Sequence, residues 1–448
     1  MKKTVFLCFM LATAMYGKAA NSLLSAPVSG PLGHSKLEAM SIAANGTDVV
    51  LLLSDKTSLY ALDIDDNKAS EATANTITSI PNFVDTKLKP VAGGATLTVL
   101  DIEVNPISKS VYVLAEAAGT SYVFKVRNNG ATVTLVNLSA ISHSTISWGA
   151  SFDVMDMTWG NDKLYASSGS FSLTGSVATV ASPFAHGSSI SQRSTSMFKS
   201  NWGGSYFTTA PLETMTYGMV KTKHRLMGVT TCAPGFSLDI AGLAGSGALQ
   251  VTEDFNINMG TSKKVVFQHH DSKDWLFDLH DNKLYRIGES LIDGSPVTAG
   301  QHNNNSLLTR DFSGAVSPGV VADVFKSYTG LYKVISFWDN YRLLVLEDGG
   351  TLKLMQTATT IPTAIQNIQA GNNFSIYPNP AHHTLNVSLS GTEETTLQIF
   401  SMEGKMIQTT TVNAAGATLD ISSLAAGQYI LKAISGENLA GQQIFVVQ

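Results

Sequence analysis

The sequence predicts an all-β protein, a β-propeller of roughly six blades followed by a small C-terminal β-sandwich. Six segments between residues 39 and 355 share one pattern of three short apolar runs separated by polar turns, and residues 374–448 carry a second set of alternating runs. The runs are rich in Val, Ile, Leu, Tyr and Phe and are bounded by Asn, Asp, Gly or Lys, which is the signal of strands and hairpins. Outside the N-terminus, no helical period extends far enough to compete with this prediction.

The repeated segments predict the blades. They span residues 39–64, 100–126, 153–173, 214–240, 265–287 and 334–355. Three strands from each segment and one from each less regular interval would make four-stranded antiparallel sheets, and six such sheets at this period indicate a propeller over residues 24–357. The long interval after the fifth segment leaves room for a seventh blade, and a tandem of β-sandwiches is the alternative architecture.

Composition limits the class of partner. The chain has 448 residues, of which 44% are apolar and 14% charged, enough for a sizeable core and more than one domain. The formal net charge is −5 and no basic run occurs. A nucleic-acid partner is therefore not expected.

The N-terminus has the pattern of a secretory signal peptide. Two lysines precede an apolar run that ends in small residues, which predicts a signal peptide over residues 1–19 with cleavage after Ala19. Cys8 lies inside it, so Cys232 is the one remaining thiol and no intrachain disulfide is expected. Cys232 is interpreted as a small turn residue rather than a nucleophile. No later stretch approaches the eighteen or so apolar residues of a transmembrane helix.

The last part of the chain resembles a known family. Residues 358–373 are rich in Thr, Ala, Gln and Asn and are interpreted as a linker, after which a Tyr-Pro-Asn-Pro motif precedes the first strand. The order and spacing of the following motifs resemble the C-terminal sorting domain of the type IX secretion system over residues 374–448. The residues that carry this resemblance include Tyr377, Pro378, Asn379, Pro380, Gly404, Leu424, Gly427 and Tyr429.

The resemblance implies a route and a partner. It implies a bacterial β-propeller that crosses the periplasm and is exported by the type IX machinery to the surface or surroundings of a Gram-negative bacterium. It also implies that His382 and His383 belong to a turn before a strand. Because adjacent strand residues point to opposite faces, these histidines are not expected to share a metal ion.

Two other polar clusters are candidates for a metal-binding or catalytic site. His269, His270 and Asp271 lie one hairpin away from His280, so strand rise places His270 and His280 at opposite ends of that hairpin. The run from Asp63 to Asn67 lacks the glycine and glutamate of an EF-hand loop, and a solvated strand end is the preferred interpretation. No metal site and no cofactor are expected.

One rim of the propeller is the predicted ligand surface. The loops that precede each innermost strand and the turns between second and third strands emerge on the same rim, which would be acidic and partly aromatic. Such a surface suits sugars or cationic peptide segments. The candidate ligand-binding residues are Trp148, Asp153, Glu213, His280, Asp281, Tyr332 and Asp348. The segment from Pro183 to Gly204 is a further candidate, as a binding or covering loop that exposes Phe184, Phe198 and Trp202, and a flexible blade edge is an equal alternative for it.

Two functions follow from these patterns. The first is a non-catalytic binding or adhesion module for a glycan or a protein, because no nucleophile, carboxylate pair, phosphate loop or metal spacing is complete. The second is a secreted hydrolase or lyase acting on polysaccharide or peptide, with His280 and rim carboxylates in its site. The sequence assigns no catalytic residue, and fold class does not separate the two.

Overall fold

The structure is a computed structural model, and it describes most of the chain from Ala20 onward. The described ranges are 20–149, 152–170, 174–199, 205–207, 211–231, 234–256, 261–292, 325–358, 374–389, 394–401, 406–413, 416–435 and 438–448. The signal peptide, Cys232, Trp202 and Gly404 lie outside them. The chain divides into two compact units, Met1–Thr359 and Thr360–Gln448.

The first unit consists almost wholly of strands. The strands up to residue 147 are β1 (Leu24–Ser25), β2 (Val28–Gly30), β3 (Ala39–Ala44), β4 (Val49–Ser54), β5 (Ser58–Asp63), β6 (Ser79–Ile80), β7 (Thr98–Val104), β8 (Val111–Ala117), β9 (Thr120–Arg127), β10 (Thr132–Leu135) and β11 (Ile141–Ser147). The next are β12 (Val154–Gly160), β13 (Lys163–Ser170), β14 (Thr174–Ala181), β15 (Phe184–Ala185), β16 (Ser191–Lys199), β17 (Ser205–Phe207), β18 (Leu212–Val220), β19 (Lys223–Thr230), β20 (Pro234–Asp239) and β21 (Leu249–Asn256). The last are β22 (Ser262–His270), β23 (Lys273–His280), β24 (Lys283–Gly288), β25 (Phe325–Ser327), β26 (Tyr332–Asp339), β27 (Arg342–Glu347) and β28 (Leu352–Gln356).

Among the described residues of this unit, helical structure is confined to short pieces. A π-helical turn over Val84–Leu88 runs into the α-helical turn α1 (Lys89–Val91). Three 3₁₀ turns cover Ala69–Glu71, Ile240–Ala244 and Glu289–Leu291.

The strands form six antiparallel blades of four strands each, and β2 adds a fifth strand to blade 1 by pairing with β11. From the innermost strand outward, blade 1 is β3-β4-β5-β11, blade 2 is β7-β8-β9-β10 and blade 3 is β12-β13-β14-β16. Blade 4 is β18-β19-β20-β21, blade 5 is β22-β23-β24-β25 and blade 6 is β26-β27-β28-β6. Each predicted three-strand segment is the inner part of one blade, and the prediction of six blades is confirmed for the described chain.

The sequence of each blade reflects its place between two others. The middle strand β4 reads VVLLLS and is buried throughout, because both faces of the sheet are covered by neighbouring blades. Tight turns join the strands, and at Asp271–Ser272 and Asp281–Asn282 both turn residues have positive φ. Such turns match the twist of the flanking strands, and Asn and Asp tolerate them better than most side chains.

The blades do not follow one another in chain order around the ring. Innermost strands are neighbours in the order β3, β12, β18, β22, β26, β7 and back to β3, so the ring order of blades is 1, 3, 4, 5, 6, 2. Six separate buried apolar clusters fill the interfaces between these neighbours, one for each pair. Blade 2 therefore lies between the first and last blades of the chain.

The fourth strands of blades 1 and 6 do not come from the interval directly after the three-strand segment of the same blade, contrary to the prediction. β6 leaves the interval after blade 1 and pairs with β28 of blade 6, and β11 returns after blade 2 to complete blade 1. Both additions cover strand edges that would otherwise be exposed, which is how a propeller protects its blades. The ring is closed by strands that are distant in sequence.

The segment from Pro183 to Gly204 is not a loop over its described part, which corrects the sequence prediction. Phe184 is fully buried in β15, and β15 pairs in parallel with β1. β16 is the outer strand of blade 3 and pairs in parallel with β21 of blade 4, which joins these two blades into one continuous sheet. The Ser and Gly content of this segment conceals β16, which pairs with β14 on one side and with β21 on the other, and its outer position agrees with the alternative prediction of a blade edge.

Asp66 corrects a second prediction. It is buried, not at a solvated strand end. Its carboxylate accepts a hydrogen bond of 2.7 Å from the Tyr112 hydroxyl and lies 3.1 Å from Lys125 Nζ. Because Tyr112 and Lys125 belong to blade 2, Asp66 fastens the end of the blade 1 hairpins to blade 2.

The second unit is a small β-sandwich, as predicted. Its strands are β29 (Phe374–Tyr377), β30 (Thr384–Leu389), β31 (Thr395–Ser401), β32 (Met406–Val412), β33 (Gly416–Asp420), β34 (Gly427–Ser435) and β35 (Asn438–Val447). One sheet has the order β29-β30-β33 and the other β32-β31-β34-β35. A single apolar cluster drawn from both sheets forms the core, with Leu385, Leu431 and Phe445 fully buried.

Candidate functional site

The innermost strands share an irregularity that sets the lining of the central channel. Five of the six shift register near their start, between Val99 and Asp101, Val154 and Asp156, Leu212 and Thr214, Ser262 and Lys264, and Tyr332 and Val334. A bulge adds one residue to one strand and redirects the side chains that follow. The first residue after the shift is charged in three blades: Asp101, Asp156 and Lys264.

These three residues and Glu103 form a buried charged group, called here the channel cluster. Lys264 Nζ lies 2.7 Å from Glu103 Oε1, 3.1 Å from Asp101 Oδ2 and 4.0 Å from Asp156 Oδ1. Lys264 belongs to blade 5, whereas its partners belong to blades 2 and 3. Since blades 2 and 3 flank blade 1, which stands opposite blade 5 in the ring, the Lys264 side chain reaches across the channel.

Burial shifts the protonation of the channel cluster. It raises the pKa of Glu103 to about 7 and that of Asp156 to about 6, although Lys264 opposes both changes. Burial also raises the pKa of Asp101 against the same opposition. Burial disfavours the charge on Lys264, but the three carboxylates outweigh it and hold the Lys264 pKa well above its usual value. One ammonium therefore faces three acids, and the group carries excess negative charge once they ionise.

An arc of aromatic side chains lies further along the same strands. The fourth residue after the register shift is aromatic in four consecutive blades of the ring, and these residues form the aromatic arc: Trp159, Tyr217, Phe267 and Phe337. The first three rings are half-buried, while Phe337 is 41% exposed.

Glycines make room for two rings of the arc. A Cβ on Gly160 would lie 2.0 Å from the Tyr217 ring, and a Cβ on Gly218 would lie 2.5 Å from the Phe267 ring. Real Cβ atoms do not approach other atoms so closely, so these two inner strands require glycine there. Each ring lies against the preceding blade and leaves part of its surface toward the channel.

A cavity of about 360 Å³ connects the aromatic arc to the channel cluster. All four arc residues line it, together with Glu103 and Lys264. Pro106 and Asn340 also line it, and they belong to turns between first and second strands. The cavity therefore lies toward the rim opposite the one that the sequence analysis favoured.

The structure separates the residues of the predicted rim. Trp148 and Tyr332 are buried. The Trp148 indole N–H donates a 2.8 Å hydrogen bond to Ser54 Oγ, and its ring stacks on Phe152. Asp153 is exposed. The rings of Trp148 and Tyr332 are therefore not available to a ligand. They lie just before or at the start of inner strands, where they cover the ends of the blades.

Glu213, His280 and Asp281 do come together, at the junction of blades 4 and 5. The backbone N–H of Ser262 donates to Glu213 Oε2 at 3.4 Å, and Ser262 pairs with His280 across the β22-β23 hairpin. His280 is buried, and its ring nitrogens lie 3.6 Å from Asp278 and 4.0 Å from Asp281. Burial raises the pKa of Glu213 to about 7, and the negative charges of Asp278 and Asp281 add to the increase.

Asp348 lies in a second cavity of about 520 Å³ on the predicted rim. Its charged and amide lining consists of Asn82, Asp85, Lys263, Asn282, Lys333 and Asp348. Lys333 Nζ lies 3.8 Å from Asp348, and Lys263 Nζ donates to Asn282 at 2.6 Å. All of its lining residues are non-aromatic, which distinguishes it from the channel cavity.

The histidines of blade 5 are arranged as the hairpin geometry predicted. His270 pairs with Lys273 beside the turn, and His280 pairs with Ser262 at the far end of the same ladder. His269 Nδ1 lies 2.6 Å from Asp274. Among the described residues, no group of three or more His, Cys, Asp or Glu side chains is arranged to hold a metal ion.

In the second unit, the Tyr-Pro-Asn-Pro motif fastens the last strand. Asn379 donates from its side chain to Ile444 O at 3.0 Å and accepts from Val446 N at 2.9 Å. Ala381 N donates to Val446 O at 2.7 Å, and His382 Nδ1 lies 3.0 Å from Gln448 O. The motif acts as a clasp on β35, and His382 belongs to it as an exposed residue of the turn.

The other predicted motif residues support the same fold. Tyr429 is buried, stacks on Phe445 and donates from its hydroxyl to Ala425 O at 2.9 Å. Leu424 packs at the edge of the core, Gly427 begins β34, and Tyr377 is exposed.

Comparison with protein families assigns this unit. Residues 375–448 match the family described as the secretion system C-terminal sorting domain. The C-terminal unit is a type IX secretion sorting domain. Its presence implies interaction with the type IX machinery and a secreted or cell-surface location. In the described chain, no helix is long and apolar enough to span a membrane.

Comparison with solved structures returned β-propeller proteins at low similarity. PorZ, a surface component of the type IX secretion system of Porphyromonas gingivalis, is 12% identical with a TM-score of 0.32, and the match covers 91% of this chain and 57% of PorZ. Drosophila Semaphorin 2a is 8% identical with a TM-score of 0.35, over 94% of this chain and 97% of that protein. The Dos1 propeller is 9% identical with a TM-score of 0.30, over 92% of each chain. A search of curated proteins found no match.

The channel cluster and the aromatic arc were missed by the sequence analysis. Asp101, Asp156 and Lys264 are buried charged residues inside largely apolar strands, which is unusual for strands covered on both faces. The arc is visible when MTWG, MTYG, VVFQ and ISFW are aligned at the end of the first strand of each segment. Alignment of the segments by strand, rather than a search for polar turns, would have found both features.

Proposed function

We propose that this propeller is an exported, non-catalytic binding protein that receives its ligand in the channel cavity. The observation that carries the proposal is the cavity of about 360 Å³, where aromatic faces from four blades adjoin buried charged groups. Binding sites for small ligands and side chains combine apolar walls with a few fixed polar groups, at volumes of roughly 300–1,000 Å³. The sorting domain supports a task outside the cell, where glycans and proteins are the available ligands.

The choice between the two cavities rests on chemistry rather than size. The larger rim cavity has no aromatic lining residue. Its two lysines already have partners, since Lys333 lies near Asp348 and Lys263 donates to Asn282. In the channel, burial removes water from Glu103, and aromatic side chains line the same cavity. Desolvated polar groups beside apolar surface provide both affinity and orientation, because an unsuitable ligand leaves them unpaired.

Phe337→Ala tests the proposed site on the full-length secreted protein. Phe337 is 41% exposed, so we expect little loss of stability but a roughly tenfold loss of affinity for whichever ligand a glycan and peptide array identifies. Leu331→Ala is the matched control, since Leu331 is 49% exposed just before the same strand begins. Binding that is insensitive to Phe337→Ala but lost in Asp348→Ala would move the site to the predicted rim.

Glu213 favours the second candidate function, a secreted hydrolase or lyase. A carboxyl whose pKa is about 7 can exchange protons at neutral pH, as a general acid or base must. If this function holds, Glu213→Gln and His280→Ala abolish turnover of a polysaccharide or peptide substrate while the protein remains folded. A substrate panel without turnover, together with measurable binding, would exclude this candidate.

A further inference from the structure

We propose that the ligand of the channel cavity presents an organic cation, an ammonium or guanidinium group, that sits beside Glu103 and against the aromatic arc. This inference rests on the proposed binding function and specifies the ligand's chemistry. It is drawn from the balance of charge in the channel cluster, from the hydrogen bonds of its members and from the walls of the cavity.

The charge balance leaves room for a second cation. Lys264 supplies one positive charge to three carboxyl groups, and two of them lie within 3.1 Å of its Nζ. Every charged group of the cluster is buried or nearly so. An anionic ligand would be repelled by this excess of negative charge, whereas a cation would neutralise it. Salt screens such interactions only weakly inside a buried site.

The hydrogen bonds indicate which carboxyl is available. Asp156 accepts backbone N–H groups of Met157 and Met215, both at 2.8 Å, and Asp101 accepts Ile102 N at 2.8 Å. Asp156 thereby links β12 to β18, and a backbone hydrogen bond from Met40 links Asp101 to β3. Within the described chain, Glu103 Oε2 receives only a long hydrogen bond of 3.5 Å from Ser336 Oγ, and Glu103 lines the cavity.

The walls fit the same kind of group. A cation that approaches Glu103 passes the rings of Trp159, Phe267 and Phe337, and aromatic rings attract cations through the negative quadrupole of their faces. Tyr217 also lines the cavity, but its ring stacks on Tyr165 and on His224. Because Lys264 crosses the channel, the ligand ends there. A slim basic chain, either a free amine or a basic side chain of a peptide, matches a cavity of about 360 Å³.

The proposal implies that binding depends on pH. Glu103 must be ionised to hold the cation, and burial raises its pKa to about 7. The titratable groups that face it are Lys264, Asp101 and Asp156, and of these Asp156 ionises near pH 6 while Lys264 stays charged. Affinity for a cation should therefore rise as pH increases from 5.5 to 8, while affinity for a neutral ligand should change little.

Titration calorimetry on the full-length secreted protein tests the proposal with four probes. Agmatine and a pentapeptide with a central arginine carry the cation, and a citrulline pentapeptide and a neutral monosaccharide do not. We expect the arginine peptide or agmatine to bind at least about 30-fold more tightly than the citrulline peptide, with the difference lost in Glu103→Gln. Glu116→Gln is the matched control, because Glu116 also belongs to blade 2 and pairs with a lysine, at 2.6 Å, outside the cavity.

The outcomes separate the proposal from the function on which it rests. Equal binding of agmatine and of the peptide supports a free amine as ligand, and binding of the peptide alone supports a protein side chain. Binding of neutral probes that is sensitive to Phe337→Ala but not to Glu103→Gln or to pH overturns the cation and retains the binding function. If Phe337→Ala changes the affinity of no probe and of no array ligand, the proposed binding function itself is overturned. If Glu103→Gln does not fold, the pH dependence of the wild-type protein decides.

Discussion

Replacement of Lys264 by methionine should expose the energetic role of the channel cluster. The change keeps the apolar stem but removes the ammonium that lies 2.7 Å from Glu103 and 3.1 Å from Asp101. Removal of one partner of a buried ion pair typically costs about 3–5 kcal/mol, because the remaining charge is left without compensation. We expect the free energy of unfolding to fall by about 4 kcal/mol at pH 8.

The loss should shrink as pH falls. Glu103 and Asp156 already have pKa values of about 7 and about 6 with Lys264 present, and without it both values rise further. A carboxyl whose pKa is higher in the folded state favours folding at low pH, and that advantage is lost as pH rises through the folded pKa. Each pH unit over which one such group takes up its proton recovers about 1.4 kcal/mol. The wild-type protein recovers part of this free energy too, because its own Glu103 and Asp156 take up protons over the same range, so only the additional proton uptake of the variant narrows the deficit. The deficit at pH 6 should thus be smaller than at pH 8 by about 1 kcal/mol or more.

Urea unfolding followed by tryptophan fluorescence measures this effect in the full-length protein. All five tryptophans precede residue 358, so the signal reports the propeller and not the sorting domain. Lys263→Met is the matched control, because the Lys263 side chain is exposed and donates a hydrogen bond to the turn residue Asn282. We expect its free energy of unfolding to change by no more than about 0.5 kcal/mol. A deficit for Lys264→Met that equals the control, or that does not vary between pH 6 and pH 8, would refute the reasoning.

Four further predictions follow from the same structure. The wild-type propeller should lose stability as pH rises from 5 to 7, because Glu103 binds its proton more tightly in the folded state; the loss should approach about 1.4 kcal/mol per pH unit between its ordinary pKa and its raised pKa of about 7, and a flat urea midpoint over this range would contradict the raised pKa. Gly218→Ala should cost about 1–3 kcal/mol, because its Cβ would lie 2.5 Å from the Phe267 ring, whereas Gly242→Ala, with open space around it, should be nearly neutral by the same assay. Deletion of residues 374–448 should retain the protein inside the cell, and immunoblots of cell fractions showing normal release would contradict the assigned route. Asn379→Ala should lower the melting temperature of the sorting domain, since two hydrogen bonds to β35 are lost, and calorimetry of the full chain would show an unchanged transition if the clasp is unimportant.

The strands were predictable because their signals are local. Each blade contributes three apolar runs with short polar turns, and a buried strand such as β4 leaves almost no alternative for a sequence like VVLLLS. The sandwich was predictable for the same reason and because its motifs keep a family spacing. In both units the period and the turn residues agree with the final structure.

The order of the blades was not predictable from local signals. β6 is only two residues long, Ser79–Ile80, and it pairs with a strand more than two hundred and seventy positions later in the chain. Nothing in so short a segment indicates its partner. Its position is determined instead by Ile80 and the neighbouring Phe83, which are buried in the apolar cluster between blades 2 and 6.

The candidate site was missed for a related reason. Motif patterns point to polar residues in turns, whereas the channel cluster consists of charged residues within the inner strands of blades 2, 3 and 5. Their convergence depends on the ring order, which sequence spacing does not reveal. The rim residues Glu213 and His280 were found because both lie at the ends of recognisable strands in neighbouring blades.

The ring order also explains why the charged site and the fold depend on one another. Lys264 reaches carboxylates of blades 2 and 3, and these two blades flank blade 1 only because β6 and β11 hold blade 2 between the first and last blades of the chain. The excess negative charge of the channel and its aromatic walls therefore exist only in the closed ring. A chain that has formed its individual hairpins but not these two closures has lone charges in its apolar strands and no cavity. Closure of the ring and formation of the proposed binding site are thus the same event, and a variant that weakens β6 should lose binding and stability together.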